Sequence, residues 1–282
     1  MRVTFLGTAA AEGYPNPFCG CENCRAARRA GGRSLRKRAA ALINDDLLLD
    51  LGPDLISASF LHGCSLDALR YCLQTHAHAD HLDTSFFLTR TREYGVSNAP
   101  RLHFYASTQS TQRALQELDP DLGAAGKLDS RSEERLNLQM HKIEPFQTFA
   151  AGAYRVTALP ANHDPPVGAL LYAVEAEGRR VFYGTDTGPL LDETWQALRR
   201  SGLRFDVIIL DHTYGDEEGT GDHLNARQFS EHVARMRDEG LIAPDGRVLA
   251  HHIAHSSNPV HAEFTERARQ HRYEVAYDGL IV

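Results

Sequence analysis

Thr75-His76-Ala77-His78-Ala79-Asp80-His81 decides how this chain reads. Four metal-ligating side chains fall within six residues, directly after the apolar stretch Leu69-Arg70-Tyr71-Cys72-Leu73. That stretch reads as a buried strand, so the run delivers imidazoles and a carboxylate to one rim of a sheet. Imidazole and carboxylate suit zinc and its first-row neighbours. Alternate residues of an extended segment point the same way, so His76 and His78 can share one ion. Asp80 and His81 lie beyond it, free to hold a second. With 15 His in the chain some must cluster by chance. A chance cluster would not be matched by ligands at later strand ends.

Such ligands are present. Leu47-Leu48-Leu49-Asp50 ends in an Asp suited to orienting a ligand from behind. Leu159-Pro160-Ala161-Asn162-His163 ends a strand with a His, and Val181-Phe182-Tyr183-Gly184-Thr185-Asp186 ends one with an Asp. Val248-Leu249-Ala250-His251-His252 ends one with two His. A single strand-end His is ordinarily a surface residue; the ordered series is what carries the signal.

Further apolar or alternating runs predict strands at Arg2–Leu6, Ala39–Ile43, Arg101–Tyr105, Tyr154–Leu159, Ala169–Ala176, Asp206–Leu210 and Glu274–Tyr277. Helical periodicity covers Asp54–Leu61, Thr84–Glu93, Ser107–Leu118, Leu190–Ser201, Asn225–Glu239 and Pro259–His271. Strand hairpins lead each half and helices follow. The expected fold is therefore α/β, a four-layer αββα sandwich, as a single domain over residues 1–282. The polar stretch Asp119–Asn137 reads as a loop or insertion.

The ligand order resembles that of the metallo-β-lactamase superfamily, whose motifs run Asp, His-x-His-x-Asp-His, His, Asp, His. They match Asp50, His76/His78/Asp80/His81, His163, Asp186 and His252. The resemblance implies a first metal on His76, His78 and His163, and a second on Asp80, His81 and His252. Asp186 would bridge them, with a hydroxide held between two divalent ions, Zn or Mn. Lactamases usually carry Cys where Asp186 stands, and flavodiiron members an acid where His78 stands. Both departures argue against those activities.

Phe18-Cys19-Gly20-Cys21-Glu22-Asn23-Cys24 adds a Cys-x-Cys-x-x-Cys knuckle, three thiolates that want a fourth ligand to close a tetrahedral zinc site. His255, three residues past His252, is the candidate. This combination is similar to the PhnP-type phosphodiesterases, in which it implies a structural zinc on Cys19, Cys21, Cys24 and His255. Such relatives tend to have Thr-His-x-Ser at the last motif, whereas this chain has His251-His252-Ile253-Ala254, so His251 competes with His252 as ligand. The PqqB family carries a similar knuckle but generally lacks the full His-x-His-x-Asp-His set, which counts against it here. In phosphodiesterase members a His at a helix start reaches over the metals towards the phosphate, and His223 in Gly221-Asp222-His223-Leu224-Asn225 matches it. A bystander near the helix N-cap is the competing reading. Catalytic roles are thus expected for His223 and Asp80. Cys64 and Cys72 read as small core residues.

The composition, 42% hydrophobic and 24% charged, is that of an ordinary globule. A net charge of −7 argues against stable nucleic-acid binding. The local cluster of Arg25, Arg28, Arg29, Arg33, Arg36, Lys37 and Arg38 is either a solvated helix and loop or a phosphate-attracting rim. The N-terminus reads as a strand rather than a signal peptide, and a cytoplasmic location is expected by default. The expected activity is metal-dependent hydrolysis of a small (cyclic) phosphodiester, with no membrane partner and a homodimer left open. RNA processing, thioester hydrolysis and a non-hydrolytic carrier role are the alternatives.

Overall fold

The computed structural model describes residues 1–118 and 128–282. Two mixed sheets face each other. The first has six strands in sequence order: β1 (Val3–Gly7), β2 (Ala40–Ile43), β3 (Leu47–Leu49), β4 (Tyr71–Leu73), β5 (Leu102–Ala106) and β6 (Leu138–Lys142). The second has seven, running from β13 (Glu274–Val275) through β12 (Ile242–His251), β11 (Phe205–Asp211), β10 (Arg179–Gly184), β9 (Leu170–Ala176) and β8 (Tyr154–Pro160) to β7 (Thr148–Ala151). Helices α2 (Leu55–His62), α3 (Ser85–Thr89), α4 (Thr108–Glu117) and α5 (Ser130–Leu136) cover the first sheet. Helices α6 (Asp192–Ser201), α7 (Ala226–Asp238) and α8 (His261–Gln270) cover the second. α1 (Glu22–Ala30) follows the cysteine knuckle.

Strand alternation produces the layers. On β10, Val181 and Tyr183 face the opposing sheet, whereas Phe182 faces the helices. On β11, Val207 and Ile209 turn inward while Ile208 and Leu210 turn outward. The layer between the sheets joins Phe5, Ile43, Leu49 and Leu73 to Tyr172, Val174 and Leu249. A second layer holds Leu48, Phe87, Phe104 and Leu115 under the first helices. The third holds Trp195, Phe229, Val233 and Phe264 under the others. Such strands, buried on both faces, read as the near-continuous apolar runs seen in the sequence.

The αββα expectation and most elements stand. The structure departs from expectation in five places. Thr84–Glu93 is two short pieces, α3 and a 3-10 turn at Arg92–Tyr94, with extended Thr91 between them. The expected loop Asp119–Asn137 contains helix α5, capped by Asp129 accepting from the Ser132 amide; residues 119–127 lie outside the described residues. β6, β7 and α1 were not expected as such. Cys72 is buried in the layer under the first helices, and Cys64 is half-buried against that layer.

Candidate metal centre

The parallel pairings β3·β4, β10·β11 and β11·β12 align strand ends along one rim of the sandwich. The loops leaving those ends carry the candidate ligands. Asp50, Asp186 and His252 each turn out of their strand with positive φ, at 68°, 62° and 55°. Such conformations cost on the order of 1–3 kcal/mol each. A single buried Leu or Phe contributes about 1.5–3 kcal/mol, so the three-layer core easily holds them. Gly52 lets the Asp80 loop lie against the end of β3, since a Cβ there would sit 2.8 Å from the Asp80 carbonyl oxygen.

Two clusters of potential ligands form at this rim. His76, His78 and His163 make one; Asp80, His81, Asp186 and His252 make the other. His78 Nδ1 lies 2.9 Å from His76 Nε2 and 3.3 Å from His163 Nε2. Asp186 sits between the clusters, its Oδ2 being 3.2 Å from His76 Nε2, 2.8 Å from His81 Nε2 and 3.6 Å from His252 Nε2. Its Oδ1 is 3.7 Å from His163 Nε2. Asp80 Oδ2 is 3.1 Å from His81 Nε2 and 3.7 Å from His252 Nε2. Nitrogen ligands about 2.0–2.1 Å from a tetrahedral zinc would lie about 3.4 Å apart, close to these separations.

The hydrogen-bond network fixes which imidazole nitrogens are bare. His81 Nδ1 donates to Asp50 Oδ2 at 2.9 Å. His76 Nδ1 donates to Thr75 Oγ1 at 3.0 Å, and that hydroxyl donates onward to Asp50 Oδ1 at 2.8 Å. His163 Nδ1 donates to the Asp222 carbonyl at 3.2 Å. His252 Nδ1 donates to Thr213 Oγ1 at 2.8 Å, whose own proton goes to Asp211 Oδ2 at 3.0 Å. With Nδ1 engaged behind it, each of these four rings turns Nε2 towards the cluster, the atom left to take a metal.

Asp186 Oδ1 supports the same reading. It is buried and accepts no hydrogen bond; His223 Nδ1 approaches to 3.1 Å, but not along a hydrogen-bonding direction. Burial opposes charge on Asp186, yet His252, His76 and His81 hold its carboxyl well below the usual range. Burial likewise opposes charge on Asp80, and His81 and His252 outweigh it. Burial pushes the His76 imidazole well below its ordinary value, with His81 adding to the effect. Ionised carboxylates beside inward-facing imidazole Nε2 atoms make a donor set that fits two divalent cations.

His251 is excluded as a ligand. Its Nε2 donates to the Gly7 carbonyl at 3.0 Å and its Nδ1 meets Thr185 Oγ1 at 2.6 Å. Burial, then neighbouring His252, pushes it down to about 3, so it is a neutral bridge between β1 and β10.

His223 lies at the mouth, not in the helix: α7 begins at Ala226 behind its cap Asn225. Its ring stacks on His252 at 5.4 Å and lies 5.0 Å from His163. Its Nδ1 donates to Asp211 Oδ2 at 3.0 Å. Burial would lower this imidazole, but Asp211 foremost, then Asp186 and Asp222, push it up to about 9. The sequence reading missed Asp211. It ends the apolar strand β11 and is fully buried, the signal that found Asp50 and Asp186. Thr75 and Thr213 were also missed, and nothing in their sequence context marks them.

The structure brings the knuckle cysteines and His255 together. Cys19, Cys21, Cys24 and His255 bring their ligand atoms within 4.8 Å of one another. Cys21 Sγ is 3.6 Å from His255 Nδ1 and caps α1 by accepting from the Cys24 amide at 3.4 Å. Burial opposes the Cys21 thiolate, but the Cys24 amide and His255 bring it down to about 6. The fourfold thiolate–imidazole set fits a tetrahedral zinc. The chain leaving β12 thus gives His252 to one site and His255 to the other.

The basic cluster is mostly spent on structure. Arg25 and Arg28 bind knuckle-loop carbonyls, Arg36 is buried against Thr8 and His261, and Arg38 pairs with Asp54 at 2.7 Å. Arg29 and Arg33 remain exposed. Among the described residues, no helix is long and apolar enough to cross a membrane.

The fold and the ligand series define a metal-site protein of the α/β sandwich type. The chain belongs to the family described as the β-lactamase superfamily domain, whose pattern matches residues 46–253. Coenzyme PQQ synthesis protein B of Cupriavidus necator is 26% identical over 320 residues, covering 99% of this chain and 98% of its own length. Among solved structures, a diphosphatase from the PhnP family superposes with a TM-score of 0.73 at 18% identity, covering 100% of this chain and 97% of that one. Zn(2+)-bound PqqB from Methylobacterium extorquens gives 0.71 at 19%, covering 100% and 99%. The expectation that set PqqB aside is not upheld by this full-length similarity, and that reading is weighed below.

Proposed function

We propose that this protein hydrolyses a small phosphodiester. The observation that carries the reading is the Asp211–His223 pair, a carboxylate-held imidazole stacked over His252 and beside His163; its ring also groups with Asp186, Asp211 and His252, but the two clusters described above close without it. Divalent ions on the two clusters would supply an activated water and neutralise charge on the phosphoryl oxygens. The residues then divide the work. His76, His78 and His163 would hold one ion, and Asp80, His81 and His252 the other, with Asp186 common to both. Asp80 serves as a ligand in this reading rather than as an acid, being buried against His81 and His252. Asp50 and Thr75 hold the imidazoles behind them. Asp211 holds the protonated His223 ring through Nδ1–H, and His223 gives its Nε2 proton to the departing alkoxide, leaving the neutral ring protonated on Nδ1.

The second reading is a part in coenzyme PQQ synthesis, favoured by the full-length similarity to proteins of that name. One panel separates them: small diesters, 2′,3′-cyclic nucleotides, a thioester and a β-lactam, assayed on protein of measured metal content. Turnover of diesters alone supports the proposal. Inertness towards every diester at full metal loading removes it and leaves the second reading.

A further inference from the structure

We infer that the cleft between α4 and the Pro165–Val167 turn receives the nucleoside part of the substrate; this deepens the phosphodiesterase reading and rests on it. The cleft measures about 440 Å³ and shares His78 with the metal centre. His78 is the most open of the clustered ligands, its side chain 38% exposed against 0% for His76 and His81 and 2% for Asp186. The centre therefore opens towards this cleft.

One wall is a helix face of unusual chemistry. α4 buries Ser110, Thr111, Ala114 and Leu115. Its exposed stripe is Gln109, Gln112, Arg113 and Gln116, spaced i, i+3, i+4, i+7, and all four line the cleft. Each carboxamide offers two donors and an acceptor oxygen without net charge. The Arg113 guanidinium is already engaged by Glu117, Nε to Oε1 at 2.6 Å. The opposite wall is apolar, from Pro166 and Val167. A neutral hydrogen-bonding edge facing an apolar surface matches a heterocyclic base, whose edge a carboxamide can pair bidentately. A polyanion would call for several cations, where this lining has Arg113 alone, and an acyl chain for two apolar walls.

The cleft is tied to the chemistry by covalent continuity. His163 leads through Asp164 into the turn, and Asp164 Oδ2 lies 3.4 Å from His78 Nε2. Ser110 Oγ donates to the Val167 carbonyl at 3.4 Å. Gly168 closes the turn at φ +58° against Gln109, where a Cβ would come 2.5 Å from Gln109 Oε1. A ligand held by the glutamine stripe is thereby placed relative to His78 and His163.

The test uses the metal-loaded full chain and its Gln112→Ala/Gln116→Ala variant, both positions being solvent-exposed. Two diesters with the same leaving group are compared, the p-nitrophenyl esters of adenosine 5′-monophosphate and of methyl phosphate. The expected result is a KM for the adenosine diester raised about tenfold in the variant, with the methyl diester unchanged. Adenosine alone, titrated calorimetrically, should bind wild type and bind the variant about tenfold more weakly. Equal effects on both diesters, or no adenosine binding to wild type, overturn the inference. Hydrolysis of neither diester defeats the phosphodiesterase reading instead, and the adenosine titration still decides the cleft.

Discussion

At the scale of single residues, the account turns on His223. It makes no contact needed to close either ligand cluster, so His223→Ala should keep its metal content and melting temperature. Turnover of a diester with an alkoxide leaving group should fall about 10²–10⁴-fold, the usual contribution of general acid catalysis. The loss should shrink for a nitrophenolate, which departs with little help. Equal losses would assign His223 to charge stabilisation, and no loss would remove it from the site. Asp211→Asn tests the partner. Asp211 is the foremost group raising His223 to about 9, a value that keeps the acid form at neutral pH and loses it as pH rises through that range. Removing the charge lowers the His223 pKa, so the alkaline limb of kcat should move to lower pH. A limb that stays in place contradicts the assignment. His223 was legible from its place before a helix; Asp211 was passed over because the predicted strand stopped one residue short of it.

At the scale of elements, the knuckle and α1 form a unit closed by His255 from the loop after β12. Metal binding there is folding energy. Cys21→Ser removes a thiolate while leaving an oxygen able to cap α1, and a loss of about 3 kcal/mol would lower Tm by roughly 6–12 °C. Diester turnover at 25 °C should change little by comparison. A wild-type melting curve with abolished turnover would show that the knuckle is not structural. The elements missed in the sequence share a cause. β6 and β7 lie at the outer edges of their sheets, where only part of a strand is buried. Leu138 is buried and Met140 half-buried while their neighbours carry polar groups, so the alternation is too short to stand out from a turn-rich stretch. The central strands, buried on both faces, were legible because their apolar runs are uninterrupted. Thr91 breaks one predicted helix in a way that periodicity does not encode.

At the scale of the molecule, the site is a product of the sandwich: Asp50 and the His76–His81 run come from the first sheet, and His163, Asp186, Asp211 and His252 from the second. Their order along the chain was readable because each ends a strand on the same rim. What was not readable is which groups stand behind them, since Thr75 and Thr213 act through tertiary position alone. The choice between His251 and His252 is decided by hydrogen bonding, both ring nitrogens of His251 being taken up by Gly7 and Thr185. Two separate ligand groupings, the rim and the knuckle, predict three metal ions per chain at saturation. Elemental analysis that stops at two counts against the knuckle as a site.

The central claim is that both rim clusters must be filled for phosphodiester hydrolysis. Metal-free protein, its knuckle first reloaded with one zinc, can be titrated with Mn²⁺ while bound metal and diester turnover are followed together. The account predicts turnover that reaches its plateau only as the third ion binds, and an Asp186→Asn variant that loses this dependence along with its activity. Full turnover with a single ion on the rim, or none when both are bound, would contradict it.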